Sequence, residues 1–381
     1  MTDAWPDGWT RQEGNRVARS RQPAPAGTDY PYEQDPYESD PYAGDQLRGM
    51  GTYGEDTRPA GRARVRRRRW PKILAALVVV VLVMVVGGYF YLDSRLNRES
   101  VLTDYAGRPA DTPGTNWLIV GSDSREGLSR QQKKDFATGS AAGRRTDSMM
   151  LLHYGDGGTT LVSLPRDSYL PIPGKGSNKL NAAFAFGGPK LLVRTVEQAT
   201  GIRVDHYAEI GFGGFVGVVD AIGGVEICVK SRMKDPKAGI DLQPGCQTLT
   251  GGEALGYVRT RASARADLDR IDHQRQFFGA LMKKAGGPGV FLNPFRSVPL
   301  AMNATSNFIV DDNDHLLDLT RMMWAMRGVS GGDGVTTSVP LGRFGSSAAA
   351  GSYITWHPTK SKQLFTALKD DQPVPKDVIT K

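Results

Sequence analysis

Residues 159 to 169 read TTLVSLPRDSY: a short apolar run that ends on a proline and then delivers an arginine and a carboxylate. Runs of this kind, bounded by Gly, Pro or Asp, mark buried strands. Two more precede it, NWLIVG at 116–121 and SMMLLHY at 148–154. Beyond them strand and helix signals alternate. GPKLLVRTVEQATG (188–201) has helical apolar spacing and a glycine stop, and VDHYAEI (204–210) is strand-like. FGGFVGVVDAIGG (212–224) is helical despite its glycines, and LDRIDHQRQFFGALMKKAG (268–286) is strongly amphipathic. Helical spacing recurs at 313–327, and VTTSVPL (335–341) is a late strand. Strands interleaved with helices predict an α/β fold, a central mixed sheet flanked by helices in an α/β/α sandwich. With no internal repeat or break, residues 112–381 are expected to form one domain.

The net charge of +8 hides an uneven distribution. Residues 1–72 hold 13 Lys and Arg and 11 Asp and Glu, with few aliphatics. Within them, TDYPYEQDPYESDPYAGD (28–45) repeats Pro-Tyr and Asp-Pro-Tyr units. Such a segment cannot bury enough apolar surface to offset the entropy of ordering, which predicts a disordered tail, either a spacer or a tyrosine-bearing docking segment. Next, ILAALVVVVLVMVVGGYFY (73–91) runs nineteen residues without a charge. That length crosses a hydrocarbon core of ~30 Å, and the late start and lack of a small-residue cleavage site argue against a signal peptide. A transmembrane helix is therefore expected over 73–92, with Tyr89, Phe90 and Tyr91 as an interfacial belt. RARVRRRRWPK (62–72) sets six arginines and a lysine directly before it. By the positive-inside rule the N-terminus is cytoplasmic and the chain from about residue 93 is extracytoplasmic. Beside a span, topology and anionic lipid explain this run better than nucleic acid does. Residues 93–111 are expected as a linker. The two cysteines, Cys228 and Cys246, both fall in the exported part, where a nearby pair is a structural disulfide.

Charges gather at the ends of the expected strands, where α/β sheets bind ligands. NWLIVG exits to Asp123 and Arg125; SMMLLHY is entered through Arg144, Arg145 and Asp147; LVSLP exits to Arg166 and Asp167. YVRTR supplies Arg259 and Arg261, which share a face if the segment is extended. Arg270 and Gln274 share a helical face. Converging arginines repel one another unless a polyanion compensates, and the planar guanidinium suits phosphate. Two aspartates among them point to a hard divalent cation, Mg2+ or Mn2+, which takes one or two carboxylates and completes its shell with water and phosphate oxygens. The inferred ligand is a pyrophosphate with its metal.

NWLIVGSDSR, RRTDSMML, VSLPRD, KLNAAFAFGG, VDHYAEIGFGGFVGVVDAIGGV, GGEALGYVRTR and DLDRIDHQRQ, in that order over 116–276, resemble the successive motifs of the LytR-CpsA-Psr family. The resemblance implies a membrane-anchored phosphotransferase of a Gram-positive-type envelope. It would join a glycopolymer carried on polyprenyl pyrophosphate to a sugar hydroxyl of peptidoglycan, usually C6 of N-acetylmuramic acid. It also implies a sheet between helices enclosing an apolar tunnel for the polyprenyl chain. Carried over, it places the metal on Asp123 and Asp147 and pyrophosphate contacts on Arg125, Arg145, Arg166, Arg259, Arg261, Arg270 and Gln274. Arg166, Asp147 and Asp123 are the catalytic set, and Lys179 and Asn181 match a K-x-N substrate position. Two residues depart from the family pattern: His273 stands where arginine is common, and Gly211 where aspartate often precedes Phe. The second lies off the charge cluster. NAAFAFGG and FGGFVGVV would line the tunnel or serve as ordinary core.

A transferase of this kind works by electrostatics and positioning, with Asp147 or Asp167 as the base for the acceptor hydroxyl. A non-enzymatic sensor of the same lipid, or a pyrophosphatase acting on it, uses the same arginines; the paired aspartates favour catalysis. Other classes lack their signatures. There is no phosphate-binding loop of the G-x-x-x-x-G-K type and no zinc spacing among the five histidines.

Overall fold

The computed structural model describes residues 70–124, 128–136, 138, 145–260 and 267–380, with the backbone alone at 267–272, 288, 291, 330 and 331. The tail expected over 1–72 lies outside the described residues up to 69.

Seven strands make the main sheet: β1 (Asn97–Glu99), β2 (Thr115–Ser122), β3 (Thr146–Gly155), β4 (Gly158–Leu164), β5 (His206–Ile210), β6 (Phe308–Asp311) and β7 (Val335–Ser338). Their order is β1-β6-β5-β2-β3-β4-β7. The β1–β6, β5–β2 and β4–β7 pairs are parallel and the other three antiparallel, so the sheet is mixed, as expected. Alternation along β2 drives the layering, because successive side chains of a strand point to opposite faces. Leu118 and Val120 join Leu151, Val162 and Leu164 on one face. There they are covered by Leu192 and Val196 of α2 (Leu180–Thr200) and by Leu364 and Leu368 near the C-terminus. Trp117 and Ile119 join Met150, Leu152 and Leu161 on the other face, covered by Leu319, Met322 and Met326 of the helix Leu316–Gly331.

Helix α2 begins eight residues earlier than its glycine-flanked apolar pattern suggested. A break at Gly187 and Gly188 divides it; Gly188 sits at φ +64°, a conformation that favours glycine, and Pro189 restarts the helix. The longer helices that follow among the described residues are α3 (Phe212–Ala221), α4 (Gly251–Arg259), α5 (Asp267–Ala285), α6 (Pro294–Asn307), α7 (Leu316–Gly331) and α8 (Pro358–Lys369). A satellite core joins α3, α4 and α5 to the ribbon of Val225–Val229 and Gly245–Leu249. Cys228 and Cys246 face each other across that ribbon and are bonded. Gln276 of α5 donates to the Cys228 carbonyl at 3.2 Å, which links the disulfide to the helix carrying Gln274.

Ahead of the sheet, α1 (Trp70–Ser94) is apolar and exposed up to Gly87, and Trp70–Asp93 is long and apolar enough to cross a membrane. The expected linker is in part a structural element. Asn97–Glu99 forms the edge strand, and Asp311 Oδ1 accepts from the backbone N–H of Val101 and Leu102 at 2.9 and 2.7 Å. Polar composition hid this order, because the segment gains its partners from residues some 210 positions away.

At the start of β5, His206 stacks on Trp117, with ring centroids 4.4 Å apart, and Nδ1 donates to buried Asp314. Burial alone would disfavour the imidazolium. The Asp314 hydrogen bond and the charges of Asp314, Asp318 and Asp205 outweigh it and raise the pKa above the ordinary 6.5. A raised folded-state pKa contributes stability fully present below that ordinary value and lost as pH rises through the raised one. Thermal melts of the intact chain should therefore show Tm falling as pH rises above about 6.5, and His206→Gln should flatten that decline. A second expectation concerns the ribbon. Cys228→Ser with Cys246→Ser should lower unfolding stability by about 3 kcal/mol, as the 18-residue separation implies, and reductant should then have no further effect.

Candidate active site

The carboxylate pair arises from the β2–β3 ladder. The register shifts between Gly121 and Ser122, a bulge that re-aims the end of the strand. Just beyond it, the Asp123 N–H donates to the Arg145 carbonyl at 2.8 Å, and the Arg145 N–H donates to Asp123 Oδ1 at 2.7 Å. This exchange brings Asp123 beside the chain entering β3, whose second residue is Asp147. From the neighbouring strand β4, Arg166 donates to Asp147 Oδ1 at 2.7 Å and to Asp167 Oδ2 at 3.3 Å. Lys179 Nζ lies 3.1 Å from Asp167 Oδ1. The result is a row of alternating charge: Asp147, Arg166, Asp167, Lys179.

The backbone of that row is held from both sides. The Asn181 N–H donates to the Arg166 carbonyl, the Leu180 N–H to that of Ser168 and the Ile354 N–H to that of Asp167. Asn181 thus reaches the site through its main chain, at the start of α2. The ribbon of Tyr169–Ile172 and Gly176–Lys179 brings Lys179 back to the strand end.

Arg259 and Gln274 approach from α4 and α5. YVRTR was expected to be extended, but Arg259 is the last residue of a helix; among the described residues Thr260, its C-cap, is where the chain turns extended. The deciding signal was the capping box of Thr250 and Glu253, in which each side chain bonds the other residue's backbone N–H. Arg259 lies over the Phe212 ring at 4.8 Å and donates to the Phe136 carbonyl at 3.0 Å. Gln274 is buried and donates to the Val258 carbonyl at 3.3 Å. His273, the departure from arginine, packs on Tyr257 with ring centroids 4.7 Å apart. Burial pushes the Tyr257 hydroxyl up to about 12, and it donates to Gln276 at 2.9 Å.

Part of this set borders one cavity of about 1250 Å³. Asp123, Asp147, Ser148, Arg259 and Gln274 stand at its polar rim, with Arg166 joined to that rim through Asp147. The rest of the wall is mostly apolar, from Ile119 and Met150 of the sheet to Phe215, Phe277 and Leu281, then Ala301 of α6 and Met323 of α7, with Ser297, Thr320 and Arg327 among them. Of the two stretches named from sequence as tunnel lining, the second contributes Phe212, Phe215 and Val218. In the first, Ala183 and Phe184 pack in the core on the opposite face of the sheet. Gly211, set aside as remote from the charges, lines this cavity and N-caps α3. Helix α6 escaped the sequence reading because two prolines interrupt its pattern. Asn293 followed by Pro294, an N-cap with proline at the first helical position, was the available signal.

Arg145 is exposed, and its main chain makes the contact to Asp123. Arg125 and Arg261 lie outside the described residues, as does the side chain of Arg270. Asp123 and Asp147 offer the hard oxygen donors that a divalent cation takes, each with Oδ1 oriented by a protein donor. Among the described residues a different group, His206, Asp314 and Asp318, brings possible ligand atoms within 4.8 Å. It stands at the opposite end of β5 from the rim, and its imidazole is already engaged by Asp314.

An α/β/α sandwich with charged strand ends over an apolar cavity is the class of fold, and comparison with known proteins gives the family. The LytR_cpsA_psr family model matches residues 93–325; the chain belongs to that family. LcpB of Corynebacterium glutamicum, named a probable cell wall biosynthesis protein, is 48% identical over 298 residues, covering 78% of this chain and 70% of the relative. TagT of Bacillus subtilis, named a polyisoprenyl-teichoic acid–peptidoglycan teichoic acid transferase, is 33% identical over 238 residues, covering 57% of this chain and 71% of the relative. A solved structure of TagT bound to LI-WTA is 28% identical, with a TM-score of 0.52 over 72% of this chain and 96% of that one.

The cavity wall gives a test that is separate from catalysis. Ala301→Phe places a ring in the apolar volume and should weaken binding of a fluorescent long-chain alkyl phosphate roughly tenfold, a loss of about 1.4 kcal/mol. Titration of the full chain in detergent checks this, and an unchanged melting curve shows that the fold survives.

Proposed function

We propose that the chain is a membrane-anchored transferase that moves a glycopolymer from a polyprenyl-pyrophosphate carrier to a hydroxyl of peptidoglycan, at C6 of N-acetylmuramic acid. The observation that carries this reading is the joining of an apolar cavity of about 1250 Å³ to a rim of Asp123, Asp147, Arg259 and Gln274. A lipid with a long apolar tail and a polyanionic head satisfies both parts, and neither part alone needs the other. The transferase name of TagT and the cell-wall name of LcpB support the same class.

In this reading the acceptor oxygen attacks the phosphorus nearest the glycan, in line with the bridging oxygen. The phosphorus–oxygen bond to the carrier breaks, polyprenyl phosphate departs, and the hydroxyl proton passes to Asp167, the carboxylate of the row not assigned to the metal. Arg166, already oriented by Asp147 and Asp167, supplies fixed positive charge to the phosphates. Arg259 is pre-set by its stacking on Phe212, and Arg125, Arg145, Arg261 and Arg270 are assigned the remaining pyrophosphate contacts. Gln274 adds an amide donor, and Lys179 holds Asp167 in place. Asp123 and Asp147 would hold Mg2+ or Mn2+, which supplies charge neutralisation at the pyrophosphate when bound. The arginine run at 62–69 supports a cytoplasmic N-terminus and the disulfide an oxidising exterior for the domain.

The test is transfer by the full chain in vesicles, from a polyprenyl-pyrophosphate-linked glycan to peptidoglycan oligomers, followed by mass spectrometry. A metal-dependent phosphodiester product is expected, reduced about a hundredfold or more by Arg166→Ala and by Asp147→Ala. Lipid binding without product would sink the transferase in favour of a sensor, and release of free phosphorylated glycan in the presence of acceptor would make it a hydrolase.

A further inference from the structure

The apolar end of the cavity opens among residues that a water-facing mouth would not expose. Leu292 is 81% exposed, Phe295 88% and Trp324 of α7 69%. Phe295, Val298 and Met302 recur at the spacing of one helical face and form the outer side of α6. The other side of that helix is fixed against α3. A Cβ at Gly214 would come within 2.7 Å of Asn307 Cβ, and one at Gly217 within 2.8 Å of Asn303 Oδ1. Helix α6 therefore cannot rotate to bury its outer face.

The membrane helix identifies what covers it. Val85 and Leu92 of α1 line the same cavity as Leu292, Val298 and Trp324. Val85 precedes the aromatic belt of Tyr89 to Tyr91 by one turn, ~6 Å along the axis on the hydrocarbon side. A mouth bordered by Val85 lies below headgroup level, at the depth where interfacial helices seat their apolar faces, ~5–10 Å in. The position is also fixed rather than tethered: just after α1, Arg95 and Asn97 bond the Ser306 hydroxyl and carbonyl at 3.1 and 2.7 Å, at the end of α6. Charge agrees. Residues 283–307 contain Lys283, Lys284 and Arg296 and no carboxylate, which suits an anionic lipid surface.

We propose that the outer face of α6, together with Leu292 and Trp324, is seated in the bilayer leaflet from which α1 emerges, so that the cavity opens directly onto lipid. A lipid then enters sideways from the membrane without its tail crossing water. The inference rests on α1 as a membrane span and is independent of the reaction performed at the rim.

Both native cysteines are paired, so an introduced thiol can be labelled alone. The full chain carrying Phe295→Cys, Trp324→Cys or Phe344→Cys is labelled with an environment-sensitive fluorophore and reconstituted in phosphatidylcholine vesicles, with and without phosphatidylglycerol. Phe344 is the control: it is 77% exposed but lies on a ribbon whose Leu341 and Trp356 pack on the opposite core. Lipids bearing a nitroxide just below the headgroup should quench positions 295 and 324 several-fold more than 344, and aqueous iodide should do the reverse. Equal iodide quenching at all three positions overturns the proposal. So does protection that appears only as protein concentration rises, since a second copy would then be the occupant.

Discussion

The antiparallel pairing of β2 with β3 is the constraint on which the rest depends. It is an eight-residue ladder, and its alternation assigns each side chain to one of two unlike layers. A slip of one residue would turn Trp117 and Ile119 into the core under α2 and expel Leu118 and Val120. It would also separate Asp123 from Arg145, whose main chain bonds both the backbone N–H and the carboxylate of Asp123 at the end of the ladder. The same pairing that builds the core therefore positions both carboxylates. Chemistry at the strand ends inherits its precision from packing in the strand middles.

The two faces of the sheet do different work. Under α2 and α8 the side chains interlock, and the layer is closed. On the other face α5, α6 and α7 enclose a cavity of about 1250 Å³. Apolar volume of that kind costs packing energy in proportion to its size, so this face is the less stable of the two. The ribbon disulfide and the capping box of α4 act at this less secure side, where α5 and α4 must hold Gln274 and Arg259 in place. At the row of alternating charge, Arg166 is fixed by two carboxylates before any substrate arrives. Such preorganisation is how charge stabilisation avoids reorganisation during a reaction.

The helix long enough to cross a membrane is joined to the domain by side-chain contacts as well as by the chain. Asp93, at the end of α1, accepts from the Leu316 N–H at 2.7 Å and from Arg98 at 2.7 Å, so the start of α7 is capped by the membrane helix itself. Helix α7 is also a wall of the cavity. Helix α1 and the cavity wall that α7 forms are thereby parts of one arrangement.

Much of this was legible from residue order. Apolar runs of strand length, the uncharged stretch at 73–91, the cysteine pair and the charges at strand ends depend on local pattern, and local pattern survives folding. That Asp123, Asp147, Arg166, Arg259 and Gln274 lie near one another could be anticipated because each stands at the end of an element or on a helical face. Several features belonged to tertiary structure alone. The linker became an edge strand because its partners lie on β6 and Asp311, far along the chain. Ala183 and Phe184 went to the closed layer, and Phe212 and Phe215 to the cavity, though both pairs belong to equally apolar stretches. Composition states that a side chain will leave water. Only the packing of distant elements decides whether it meets another side chain or the space kept for a ligand.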